Sequence, residues 1–232
     1  MKPNMLFAAA VLGTIISIRA SPLQVLAWDE AVAARKLAIS HSKGTEPLMD
    51  LHPFQRSKVF QVTPSKEAPA FVLALDQKDA EGNPAKVDIV IPEGIQKPLL
   101  ILLPDKKAPS GLRPIILDDD LAGFSWGSIR LVNATGKKLV FKWEKKLMAL
   151  PETWTPTQVS PGGEDRNMQV QLFLHDTPDP PLYSSVWEHR SHYRNLIFIM
   201  PGDDPRLGPV TFKYITEDRR VAEAENAAAR AK

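Results

Sequence analysis

"LLILLPDKKAPSGLRPIILDDD", residues 99–120, has a near-copy in "LIFIMPGDDPRLGPVTFKYITED", residues 196–218. Each begins with an apolar run and then meets a proline, Pro104 or Pro201. A polar loop with an aspartate, a second proline and a glycine follows. A third proline (Pro114 or Pro209), another strand-like run and an acidic end close the pattern. The two first prolines stand 97 residues apart. Apolar runs separated by Pro, Gly and Asp read as hairpins. Their recurrence predicts two units of similar build, each closed by a comparable hairpin. Chance likeness between two proline-rich hairpins is the competing explanation.

Outward from these hairpins, most of the chain alternates with a period of two. "KVDIVI" puts Val87, Ile89 and Ile91 on one face, and "SIRLVN" sets Ile129 and Leu131 against Ser128, Arg130 and Val132. "KLVFKW" aligns Leu139, Phe141 and Trp143. "NMQVQLFLH" aligns Met168, Val170, Leu172 and Leu174, and "PVTFKYIT" aligns Val210, Phe212 and Tyr214. Such alternation marks strands with one buried and one wet face. The denser runs "AFVLAL" (70–75), "LLILL" (99–103) and "LIFIM" (196–200) suit strands covered on both sides. With 21 prolines in 232 residues, long helices are disfavoured. The expected class is all-β: an antiparallel β-sandwich, built as two immunoglobulin-like or jelly-roll-like units over 28–122 and 123–218. A leader helix precedes them, and a short helical or disordered tail over 219–232 follows.

The N-terminus carries a targeting signal. Lys2 precedes an uncharged apolar run from Met5 to Ile18, which Arg19 ends. That run is too short for a membrane span of about 20 residues and fits the core of a secretory signal peptide. Cleavage fits after Ala20 or after Ala27, and residues 1–27 are taken as the leader; an uncleaved anchor and a buried N-terminal helix are the alternatives. Nothing later in the sequence is long and apolar enough to span a membrane. Removing Lys2 and Arg19 leaves 27 basic against 27 acidic residues, from 29 and 27 in the whole chain. A neutral chain lacks the field that draws phosphate backbones, so no nucleic-acid partner is expected. The absence of cysteine excludes disulfides, thiolate nucleophiles and cysteine-rich zinc sites, and suits a bacterial envelope protein, periplasmic or secreted.

Candidate chemistry is sparse, and no cofactor is expected. "VWEHRSHYR" (186–194) gathers Glu188, His189 and His192, residue types that bind zinc when a loop turns them inward. Histidines three apart fall on opposite faces of a strand, and Arg190 and Arg194 oppose a dication, so the stretch reads first as a solvated turn between strands. Asp118, Asp119 and Asp120 are candidate calcium ligands, although calcium loops use alternate positions. Trp126 and Trp154, in loop-like surroundings, are candidate platforms for a sugar ring, whereas Trp143 belongs in a core. "GFSWGS" (123–128) lacks the spacing of a nucleophile elbow around Ser125. No Walker or dinucleotide-binding glycine pattern occurs.

The block "FSWGSIRLVNATGKKLVFKW" (124–143), with "PLLILLPDKKAPSGLRPIIL" (98–117) before it, resembles a loose group of exported, verrucomicrobial-type bacterial β-sandwich proteins of unknown function. Gly127, Ser128, Arg130, Asn133 and Gly136 carry the likeness. It implies an exported envelope β protein and supplies no catalytic residue. The resulting expectation is an interaction or structural module of the envelope, with a protein or glycan partner. The alternative is an exported carbohydrate binder or glycan hydrolase using exposed tryptophans and paired carboxylates.

Overall fold

The computed structural model describes residues 20–63, 69–177, 179–204 and 206–230. Along its first half run β1 (Ser21–Ala27), α1 (Glu30–Ala33), β2 (Leu37–His41), β3 (Gly44–Leu48), β4 (Phe60–Val62), β5 (Ala70–Lys78), β6 (Pro84–Ile89), β7 (Pro98–Pro104) and β8 (Leu112–Asp118). The second half holds β9 (Ile129–Asn133), β10 (Leu139–Trp143), β11 (Lys146–Leu150), β12 (Thr157–Val159), β13 (Arg166–Leu174), β14 (Tyr183–His189), β15 (Tyr193–Pro201), β16 (Val210–Asp218) and α2 (Arg219–Arg230).

These strands form four sheets, ordered β4-β1-β7-β8, β3-β2-β5-β6, β12-β9-β15-β16 and β11-β10-β13-β14. Adding eight to each strand number in the first two orders reproduces the last two. Pair directions repeat as well. β1 lies parallel to β7 and β9 parallel to β15, while every other pair is antiparallel. Pro104 and Pro201 are the last residues of β7 and β15, paired with Leu112 and Val210. The third prolines do not coincide: Pro114 lies inside β8 opposite Leu102, whereas Pro209 precedes β16.

Three apolar clusters separate the four sheets. Leu23, Val25, Leu100 and Leu102 meet Leu37, Ile39 and Val72 in the first half. Ile129, Leu131, Ile197 and Ile199 meet Leu139, Phe141, Val170 and Leu172 in the second. The third cluster joins the halves: Leu26, Leu99 and Ile101 pack against Val132, Leu196 and Phe198. The sheets containing β1 and β9 are therefore inner layers. This explains the dense runs "LLILL" and "LIFIM", whose odd and even residues enter different cores.

Layer position also accounts for two departures from the sequence reading. "AFVLAL" lies on β5 in an outer sheet, where Phe71 and Leu73 are half-buried and Leu75 is exposed; one of its faces is wet. Conversely, the face of β9 expected to be wet, with Ser128 before it and Arg130 and Val132 on it, is buried against the other half.

The leader boundary at residue 27 needs correction. Residues 21–27 are β1, hydrogen-bonded between β4 and β7 and contributing Leu23, Val25 and Leu26 to two cores. A cut after Ala27 would remove a central strand; a cut after Ala20 leaves the sandwich whole. Residues 1–19, and the leader helix expected there, lie outside the described residues. The tail is a helix, α2, with an Arg219–Glu223 pair at 2.7 Å one turn apart. Among the described residues no helix is long and apolar enough to cross a membrane.

Candidate functional site

The sequence candidates fall at three places. Asp118, Asp119 and Asp120 follow β8 into the segment that joins the halves. Asp119 is buried and binds Arg56 through Oδ2 at 2.8 Å and Oδ1 at 2.9 Å. Arg194 Nη2 adds a bond of 3.0 Å to Oδ2. Both oxygens thus accept from guanidinium groups, leaving this carboxylate no role as a calcium ligand. Asp118 Oδ1 accepts the Asp120 amide at 3.2 Å, and Asp120 Oδ1 accepts the Ala122 amide at 3.1 Å. These are turn contacts. Among the described residues no three His, Cys, Asp or Glu side chains gather as a metal-holding group.

Glu188, His189 and His192 do not converge either. His189 is the last residue of β14 rather than part of a solvated turn, and it is only 3% exposed. Its Nε2 has no hydrogen-bond partner among the described residues. Burial holds its imidazole below the usual histidine range, and the Arg166 guanidinium pushes the same way. His192 stands in the Arg190–His192 turn, its ring 4.4 Å from that of Tyr193. Glu188 is exposed and paired with Arg190.

Trp126 and Trp154 are not free platforms. Trp154 is half-buried in the central cluster, 5.6 Å from Trp28 and 6.1 Å from Phe198, under the Arg113 guanidinium at 5.2 Å. Trp126 carries Arg194 over its ring at 5.4 Å. The residues that carry the family likeness have structural work here. Arg130 donates to the carbonyls of Asp118 and Gly123, and Asn133 Nδ2 donates to the Lys137 carbonyl at 2.7 Å. Gly127, at φ +78°, packs its α-carbon near His189 and Ser191.

The more informative site emerges from comparing the two halves by register. The β2–β3 and β10–β11 hairpins pair Leu37 with Leu48 and Leu139 with Leu150. Carrying that alignment through β5 and β13 makes Val87 the counterpart of Tyr183 and, four residues on, Ile91 the counterpart of Trp187. In the hairpins, Pro114 and Ile116 correspond to Phe212 and Tyr214. Four inward positions along one open side of the sandwich are aliphatic or proline in the first half and aromatic in the second.

The larger rings hold that side open. In the first half β6 packs against β8. Between β14 and β16 there is instead a cleft of about 330 Å³, floored by Ile129 and Ile197 and walled by Val186, Trp187, Tyr214 and Thr216. Trp187 meets Phe212 edge-on at 5.7 Å and Tyr214 at 5.8 Å, and its Nε1 donates to the Tyr183 hydroxyl at 3.0 Å. Burial pushes the Tyr214 phenol up, so it stays a neutral donor. Thr216 donates to Asn195 Oδ1 at 2.6 Å. Glu188 is the one carboxylate among the lining residues. The arrangement offers ring edges and neutral polar groups, suited to binding an apolar or hydroxyl-bearing group.

Sequence reasoning named Glu188 but missed Trp187, Tyr214, Tyr183 and Phe212 as a set. The available signal was the repeat itself, since aligning the halves exposes the fourfold change to aromatic residues. No protein-family model matches the sequence, and no curated protein matches it.

Proposed function

We propose that the chain is an exported, non-enzymatic interaction module of the bacterial envelope that meets a partner protein through the β14–β16 cleft. One observation carries this reading: two sandwiches of the same topology differ at the side where the second presents aromatic residues around an opening. The first half serves as an internal control for what the fold alone requires. Beside the cleft, β14 is a sheet edge, paired on one side to β13. A free edge offers backbone donors and acceptors to an extended segment, and an adjacent hole accepts its side chain. The leader supports export, with Ser21 as the first residue of the mature chain.

A second reading, carbohydrate binding in the same cleft, is favoured by the partly exposed Tyr214 ring beside Asn195 and Thr216. Hydrolysis is less supported. It calls for two carboxylates about 5–10 Å apart, and Glu188 is engaged by Arg190.

The test replaces Tyr214 by its counterpart's residue. Chemical cross-linking in intact cells is expected to give a discrete protein adduct with the natural chain and to lose it with Tyr214→Ile. An adduct unchanged by Tyr214→Ile would refute the assignment of the cleft. A glycan that protects Tyr214 and its neighbours from hydroxyl-radical footprinting would favour the second reading.

A further inference from the structure

A second cleft, of about 300 Å³, opens where the halves meet, with Trp28, Pro53, Phe54, Met200 and Phe212 around it and Lys213 within it. Lys213 pairs with Phe198 on β15, as Ile115 pairs with Ile101 on β7. A lysine thus stands where the other half places an isoleucine that packs against the central core. It is 7% exposed. Among the described residues no carboxylate lies within ion-pair distance of it, and its Nζ stands 4.1 Å from the Phe54 ring and 5.6 Å from that of Trp28.

A buried amine without a counter-ion is costly to keep charged. Burial pushes the Lys213 ammonium down, against the partial opposition of Asp29 and Glu30 on the rim. Asp29 is committed to capping α1, accepting the Val32 amide at 2.8 Å. Glu30 is exposed and positioned to exchange protons with the amine.

We infer that Lys213 is the nucleophile of a carbonyl-capture site, taking small apolar aldehydes as imines. The Nζ lone pair forms a bond to the carbonyl carbon while the carbonyl π pair moves to oxygen. A proton passes from nitrogen to that oxygen to give a carbinolamine. Water then leaves with the oxygen and two protons, and the nitrogen pair closes the C=N bond. No oxidant or reductant is consumed. The apolar walls hold the body of the aldehyde, and Glu30 takes and returns the proton.

The experiment treats the full folded chain with benzaldehyde and cyanoborohydride, which reduces imines to stable benzylamines, and follows each lysine by peptide mapping. Lys213 is expected to be labelled about tenfold faster than the exposed Lys106 and Lys107, as a larger neutral fraction and a binding cleft require. Phe54→Ala, which removes a half-exposed wall, is expected to bring Lys213 down to the surface rate while far-UV circular dichroism stays unchanged. Labelling of Lys106 and Lys107 at an equal or higher rate in the natural chain would overturn the inference. So would full Lys213 selectivity in Phe54→Ala, because the cleft would then contribute nothing.

Discussion

Arg194, on β15, donates to Asp119 in the segment after β8, both to its Oδ2 and to its carbonyl oxygen, each at 3.0 Å. The same guanidinium binds Glu217, which also lies 3.1 Å from Arg56. By register Asp119 and Glu217 are counterparts, each one residue beyond a matched position, Asp118 and Thr216. The two arginines therefore tie equivalent acids of the two halves into one buried network, with Phe124 under Arg130 at 4.3 Å and Arg194 at 5.0 Å.

Breaking this network is costly because a guanidinium stays buried without its acid. Asp119→Ala is expected to lower unfolding free energy by about 3–5 kcal/mol. Asp120→Asn, which keeps a capping oxygen, is expected to change it by less than about 0.5 kcal/mol. Urea denaturation of the two variants checks the contrast; equal losses would contradict the network.

The central core predicts that the halves unfold together. Trp154→Ala opens a cavity against Trp28 and Phe198 and is expected to cost about 3 kcal/mol. The natural chain is expected to show one transition, coincident by tryptophan fluorescence and far-UV circular dichroism. Two separated transitions would show that the third cluster does not couple the halves.

His189 gives the fold a pH dependence of defined sign. Its folded pKa lies below the ordinary value of about 6.5. Between the two values the unfolded chain holds more protons, so its contribution is full above about pH 6.5 and is lost as pH falls toward the folded pKa. His189→Gln is expected to flatten that part of the stability profile, read from urea midpoints between about pH 5 and pH 7.5. An unchanged slope would assign the dependence to other groups.

Processing is constrained by β1. Amino-terminal sequencing of the exported protein is expected to begin at Ser21, and a chain starting at Trp28 is expected not to fold. A natural amino terminus at Trp28 would contradict the placement of β1 as a central strand.

The fold class was legible because alternation is a local property that each strand displays by itself. The hairpin echo, anchored at Pro104 and Pro201, pointed to the repeat. Layer order was not legible: whether the second face of "SIRLVN" meets water or another sheet depends on partners far along the chain, so Arg130 read as exposed. The Asp118–Asp120 run looked like a cation site because the arginines that satisfy Asp119 come from residues 56 and 194. The cleft escaped notice for a related reason. Trp187 and Tyr214 look like ordinary strand residues until each is set beside Ile91 and Ile116.

Val186 and Val90 are counterparts by the same register, 57% and 75% exposed. A photo-cross-linking amino acid at each position, irradiated in intact cells, compares the two halves at one structural site. The account predicts a discrete partner adduct from position 186 and none from position 90. Equal adducts from both, or one from position 90 alone, would contradict the claim that the second half's open side is the binding surface.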